Sequence, residues 1–292
     1  MRHLRTTLLA VLVTFLWGSS FVLTKIALAE LGPLSIAFYR WLIATLAFAV
    51  ILPLQGHTPT VQRALRQDFL PFALLGLVGI SAFYTFQNLA LRYTTAVNVG
   101  LLINFCTVFI AMLSVLWLGE RLGRMAIVGI VLSFAGATLV GLPSGSFTLE
   151  GGRLLGDGLT LLAALCAAIY TVYGKRIVAR YPPAVVTGLA AASGTLFLLP
   201  GAAWEGLALP RSATVWGAVL TLGLGSGALA NFWWWRILQL LDAARAGIFL
   251  LLIPVVSTLL AVAILKEPMP LAAAVGGALV LLGVYLTQRS AD

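Results

Sequence analysis

Residues 119–141, GERLGRMAIVGIVLSFAGATLVG, and residues 266–288, KEPMPLAAAVGGALVLLGVYLTQ, are two copies of one pattern. A shift of 147 positions lays Glu120 on Glu267, Gly129 on Gly276 and Gly136 on Gly283, and carries on upstream to put Gly100 on Gly247. Nearer the start of each half a shift of 150 places Lys25 on Lys175 and Pro33 on Pro183. Self-similarity at a fixed period marks a duplicated structural unit. Both copies are apolar runs, so the medium around them decides what the unit is.

That medium is lipid. The 292 residues are 61% hydrophobic and only 9% charged, with a mean hydropathy of +1.05, whereas soluble domains carry about 25% charged residues. This composition excludes soluble enzymes, DNA-binding modules, disordered chains and secreted disulfide scaffolds. The net charge of +9 comes from basic residues scattered singly or in pairs, so it is not a nucleic-acid patch. Cys106 and Cys166 lie inside apolar runs and offer neither a disulfide framework nor a metal site. Both histidines, His3 and His57, lie outside the apolar runs, and no HExxH or GxSxG motif occurs. No catalytic activity, cofactor or metal is expected.

A hydrocarbon core of about 30 Å takes about 20 apolar residues per helix, and unpaired backbone amides are not tolerated there, so each run is a helix. Ten are placed, at 8–28, 34–53, 69–90, 96–117, 124–142, 156–177, 185–203, 213–238, 244–265 and 271–287. The longest connection, 55–68, reads as a short polar linker. Sorted by side, twelve basic residues fall with the termini and six opposite; the positive-inside rule then puts both termini in the cytoplasm. The first run, preceded by Arg2 and Arg5, imitates a signal peptide, but its length and its counterpart in the second half point to a retained span. The repeats divide the chain into 1–142 and 155–292, joined by an outer linker 143–154. Five spans per repeat is odd, so the second copy enters the membrane inverted, with Glu120 on the side of the termini and Glu267 on the other.

Inverted repeats are the architecture of secondary transporters, which hold substrate near the midplane between the copies. Uncharged polar and aromatic residues inside the spans are the candidate lining. Trp17 and Phe21, four apart, share a face, as do Tyr84 and Asn88. Tyr170 and Tyr173 are three apart on span six. Tyr39 on span two, Asn98 and Asn104 on span four, and Asn231 on span eight complete the set, together with Trp234, which follows Asn231 by three. Trp233, Trp234 and Trp235 as a run read as an interfacial belt, and only Trp234 is kept as lining. This set suits a small amphiphilic solute better than an inorganic ion. Lys25 and Arg40 read as snorkelling to headgroups, the alternative being attraction of an anionic group to the outer mouth. Glu120 and Glu267 read as structural partners of nearby Arg121, Arg124 or Lys266. No acid lies mid-span, which disfavours proton coupling through a buried carboxylate and favours downhill export or exchange. Hinges are expected at Pro254, which removes one backbone bond, and at Gly223, Gly225 and Gly227. Gly129 and Ser133 allow close helix packing.

The motifs Trp17-Gly18-Ser19-Ser20-Phe21 with Lys25, Phe38-Tyr39-Arg40, Asn88-Leu89-Ala90-Leu91-Arg92-Tyr93-Thr94 and Gly119-Glu120-Arg121, echoed by Glu267, Gly276 and Gly283, resemble the drug/metabolite transporter superfamily, specifically its EamA-type ten-helix exporters. Within these, the chain looks most like YddG-type exporters of aromatic amino acids. The family often has proline in helix four, where this chain has Thr107 opposite Pro254, so equal hinging of helices four and nine is not expected. The resemblance implies an all-α protein of two inverted five-helix repeats, located in a bacterial inner membrane. It would export a small metabolite by alternating access, foremost an aromatic or bulky neutral amino acid. Drug, quaternary ammonium or nucleoside export is the alternative, and a non-transporting receptor or intramembrane enzyme is a remote one. The partners expected are the substrate and the lipid bilayer, with no nucleic acid; monomer and homodimer both stay open.

Overall fold

The computed structural model describes residues 2–94, 96–141, 154–265 and 271–289; Glu267 and most of the expected linker 143–154 lie outside them. The described residues form ten helices long and apolar enough to cross a membrane: α1 Arg5–Ala27, α2 Pro33–Leu54, α3 Phe69–Ala90, α4 Asn98–Leu118, α5 Arg124–Gly141, α6 Leu154–Val178, α7 Pro183–Trp204, α8 Ala213–Leu238, α9 Ala243–Leu260 and α10 Leu271–Gln288. Pro33 and Pro183 open α2 and α7, where the missing amide hydrogen is not needed and the fixed φ suits the first turn. The connection at 55–68 differs from expectation, because Thr58–Gln67 coils into a short amphipathic helix. Asp68 behind it accepts hydrogen bonds from Arg180 Nη2 at 2.8 Å and from the Tyr181 hydroxyl.

The two halves interleave. α1 packs on α9 and α8, α6 packs on α4 and α3, α2 lies against α8 and α7, and α7 lies against α3. Exchanging the halves converts each of these contacts into another in the set, as a pseudo-twofold axis in the membrane plane requires. The axis passes between α5 and α10. Ser133 donates to the carbonyl of Val280, its own repeat counterpart, at 3.1 Å, and such a pair meets only at the axis. A Cβ on Gly136 would fall 2.5 Å from the Gly276 carbonyl oxygen, and one on Gly129 2.5 Å from that of Gly283. Lipid supplies no hydrophobic force between helices, so close backbone approach through small residues holds this pair together.

Four spans are irregular, and they match in pairs. Residues Leu77–Ala82 of α3 and Leu222–Leu229 of α8 are π-helical, with Gly76 and Gly223 at equivalent positions. The α8 irregularity coincides with the expected glycine cluster; the α3 one was not expected. A Cβ at Gly223 would lie 2.5 Å from Ile43 Cβ, and one at Gly79 would enter the Tyr170 ring, so both π turns are pressed against neighbouring helices. The other pair is α4 and α9. α4 is not the continuous helix expected over 96–117 but runs Ala96–Leu102 and Phe105–Leu118 with a turn between. α9 runs as helix Ala243–Gly247, a 3₁₀ turn Ile248–Leu251 and helix Leu252–Leu265. Pro254 lies just after the tightened turn, having no amide hydrogen for the Leu250 carbonyl. Breakage of α4 without proline corrects the expectation of unequal hinging: Asn104 Nδ2 donates to the Gly100 carbonyl at 3.1 Å, and Thr107 Oγ1 donates to Gly247 O of α9 at 3.2 Å. Side-chain donors can thus satisfy the carbonyls that a broken ladder leaves over.

Candidate functional site

The π turn of α8 presents the carbonyl of Ser226 at the middle of that span, and three side chains converge on it. Trp17 Nε1 donates at 3.1 Å, Arg40 Nη2 at 3.3 Å and Asn231 Nδ2 at 3.0 Å. Asn231 also donates to the Gly227 carbonyl at 2.9 Å and accepts from the Tyr170 hydroxyl at 3.2 Å. The Trp17 ring meets Trp234 edge-on at 5.4 Å, and the Tyr170 ring lies 4.7 Å from that of Trp235. Tyr84 of α3 joins through its face, 5.5 Å from the Arg40 guanidinium carbon. The cluster therefore draws on α1, α2, α3, α6 and α8, from both repeats, at mid-depth.

Of the expected lining residues, Trp17, Tyr84, Tyr170, Asn231 and Trp234 come together here. Phe21 is 53% exposed one turn outward of Trp17, and Asn88 is half-buried one turn outward of Tyr84. Tyr173 is half-buried one turn beyond Tyr170. The remaining three are engaged elsewhere. Tyr39 donates to the Leu207 carbonyl of the α7–α8 loop at 3.1 Å, and Asn104 serves the α4 break. Asn98 donates to Asp157 at 3.1 Å beside Thr94, whose hydroxyl donates to the same carboxylate at 2.7 Å. Asp157 so ties the start of α4 to the start of α6. The hinge candidates Gly223, Gly225 and Gly227 all fall in the π turn, two of them facing α2.

Two readings of charged and aromatic residues are corrected. Arg40 does not snorkel: it is 7% exposed, seven residues into α2 or roughly 10 Å from its start at 1.5 Å per residue. Its Nε has no hydrogen-bond partner. Trp234 and Trp235 are 1% and 0% exposed, so they belong to the interior and not to an interfacial belt; consecutive positions bury two rings because α8 is enclosed on several sides.

The third correction concerns Glu120. Gly119 takes φ 67° and ends α4 in a left-handed turn, a conformation glycine adopts without steric cost. The chain then turns Glu120 toward the second repeat and not toward Arg121 or Arg124. Lys175 Nζ of α6 donates to it at 2.7 Å, and the first amides of α9 donate from Ala243 at 2.8 Å and Ala244 at 3.2 Å. Lys175 also donates to the Leu241 carbonyl at 2.8 Å. Burial alone would raise the Glu120 carboxyl, but the Lys175 hydrogen bond, the Ala243 amide, the Lys175 charge and the Ala244 amide outweigh it and hold it below the usual range. One carboxylate thereby caps a helix N-terminus and joins α4, α6 and α9 on the side of the termini.

Arg40, Ser226, Trp235 and Gly79 are the members that sequence reasoning did not select. Arg40 had a usable signal, a charge well inside an apolar span; Ser226 and Gly79 had none. A groove of about 530 Å³ is separate from this cluster, between α4 and α5, lined by apolar residues including Met112, Leu116, Ile127 and Phe134. Its repeat counterpart lies between α9 and α10.

Comparison with known proteins follows the same division of the chain. The model of the EamA-like transporter family matches residues 4–142 and 154–289. The chain is 33% identical, over 96% of its length and 97% of the relative's, to an uncharacterized transporter of Archaeoglobus fulgidus. It is 30% identical to a probable terminal-alkyne amino-acid exporter of Streptantibioticus cattleyicolor, over 96% and 92% of the two chains. It is 31% identical to the aromatic amino acid exporter YddG of Ancylobacter novellus over 68% of each. A solved crystal structure at 24% identity superimposes with a TM-score of 0.87 over 99% of both chains, which is agreement of fold.

Proposed function

Since the chain belongs to the EamA-like transporter family, we propose that it exports aromatic or bulky neutral amino acids from the cytoplasm across a bacterial inner membrane, with both termini cytoplasmic. The observation that carries this reading is the midplane cluster of Trp17, Tyr84, Tyr170, Asn231 and Trp234 around the Ser226 carbonyl, contributed by both inverted repeats. Aromatic faces receive an apolar side chain, while amide and hydroxyl groups orient a polar head. Relatives named as amino-acid exporters point the same way.

Alternating access follows from inversion. The π turns of α3 and α8 and the breaks of α4 and α9 are flexure points placed symmetrically about the axis, so each half can open its own side by the same movement. In the present conformation the Glu120 network ties the cytoplasmic ends together, whereas Trp17, Phe21, Tyr84 and Asn88 are partly exposed. That is the pattern of a state closed to the cytoplasm. Uptake of labelled tryptophan, phenylalanine, threonine and lysine into proteoliposomes, with and without a pH gradient, tests the proposal. Saturable flux of the aromatic and bulky neutral solutes, indifferent to the gradient, is expected; no amino-acid flux from folded protein overturns it.

A further inference from the structure

Hydrogen-bond donors exceed acceptors at the centre of the molecule. A carbonyl oxygen has two lone pairs, yet that of Ser226 faces the indole of Trp17, the guanidinium of Arg40 and the amide of Asn231. The Arg40 contact is the longest of the three at 3.3 Å, and Arg40 Nε has no acceptor at all. No carboxylate forms an ion pair with Arg40 among the described residues. A guanidinium held at mid-depth costs about 2.5–3.5 kcal/mol even by insertion scales, and the usual relief, a partner carboxylate or a route to the headgroups, is missing here. The faces of Tyr84 at 5.5 Å and Trp41 at 6.0 Å also lie against it. They offer cation–π attraction without consuming a single N–H.

We propose that Arg40 is the receptor for a carboxylate on the transported solute, which it takes side-on through Nε and Nη2. This deepens the transport reading above and rests on it for the direction of movement. A carboxylate supplies two acceptor oxygens in the plane of the guanidinium fork; one would meet Nε and the other would take Nη2 from its long bond to Ser226. The solute's charge and the arginine's would then neutralise each other in a medium where neither is stable alone. The acid that the middle of the spans lacks is brought in by the cargo. The class of solute follows: an organic anion or zwitterion with an aromatic or apolar body for Trp17 and Tyr84. Amines and quaternary ammonium ions, which would bring a second positive charge beside Arg40, are excluded.

The test is equilibrium dialysis of three radiolabelled probes against the purified full chain: L-phenylalanine, 3-phenylpropionate, which lacks the ammonium, and phenethylamine, which lacks the carboxylate. The wild type is expected to bind 3-phenylpropionate at least tenfold more tightly than phenethylamine. Arg40→Gln brings that ratio near one, and Arg40→Lys keeps part of it. A ratio measured within one preparation does not depend on how much of a variant has folded. Equal or tighter binding of phenethylamine by the wild type, a preference that survives Arg40→Gln, or binding of none of the three overturns the inference. Its fate separates from that of the export proposal when phenylalanine flux is measured in parallel. An Arg40-dependent preference without amino-acid flux supports the carboxylate site and sinks the amino-acid substrate. Flux with an unchanged preference in Arg40→Gln does the reverse.

Discussion

Replacing Glu120 with glutamine is expected to open the side of the protein that the termini occupy. Three donors converge on that carboxylate, at 2.7, 2.8 and 3.2 Å, and its side chain is 8% exposed. A hydrogen bond to a charged group contributes about 1.5–3 kcal/mol. Glutamine keeps one acceptor oxygen, turns its NH₂ against a remaining donor, and leaves the Lys175 ammonium with only the more distant Asp242 carboxylate at 3.9 Å. With Lys175 22% exposed and partly solvated, a net loss of about 2–3 kcal/mol is reasonable, a shift of roughly 30- to 150-fold toward the open state. Spin labels at the exposed positions Met125 and Leu240, in a background without Cys106 and Cys166, would read the separation of the two loops that Glu120 joins. The wild type should give one short distance and Glu120→Gln a second, longer population. Because the folded carboxyl lies below its usual value of 4.5, the closing contribution is complete above that value and fades only as pH falls through the lowered one. The short distance should therefore persist unchanged at pH 5. Identical distance distributions for the wild type and Glu120→Gln would refute the latch.

Other perturbations follow from the same geometry. Asn231→Ala strands the buried Tyr170 hydroxyl, which has no other acceptor among the described residues; a cost of about 1–3 kcal/mol should lower the thermal midpoint by several degrees, and an unchanged midpoint would count against the network. Gly136→Val drives a side chain into the Gly276 carbonyl. Overpacking of this kind costs about 1–3 kcal/mol or more, so size-exclusion profiles should show loss of the folded species, while a change on the exposed face of the same helix, Val131→Ala, should show none. Asp157→Ala removes the acceptor of Thr94 and Asn98 and should destabilise by about 2 kcal/mol, with Asp157→Asn intermediate; equal melting of all three proteins would rule out a structural tie between α4 and α6.

Span number, span ends and the inverted duplication were legible because lipid enforces them locally. A run of about 20 apolar residues has one way to satisfy its amides, and Gly129 and Ser133 marked α5 for close packing, though not the helix it packs on. The aromatic and amide members of the central cluster were legible for a related reason, since polar groups inside an apolar run need a purpose. Asn98 and Asn104 belonged to that class too, yet they serve helix ends, because composition does not say which polar residue faces the middle. Arg40 was misjudged on depth: counting along α2 places it well inside, but snorkelling is open to any long side chain until its neighbours are known.

What the sequence determined by itself was an all-α membrane protein of ten spans in two inverted halves, with the residue types of an amphiphile's cavity inside them. Only the tertiary structure decided that Arg40 reaches Ser226 across 186 positions of chain, that Glu120 caps α9 with Lys175 at its side, and that α3 and α4 break where they do. The reason is one of range. Hydrophobic length acts within a single span, whereas an interrupted helix survives in lipid only if a neighbour remote in sequence supplies the missing partners. Ser226 and Thr107 acquire theirs when the two repeats interleave.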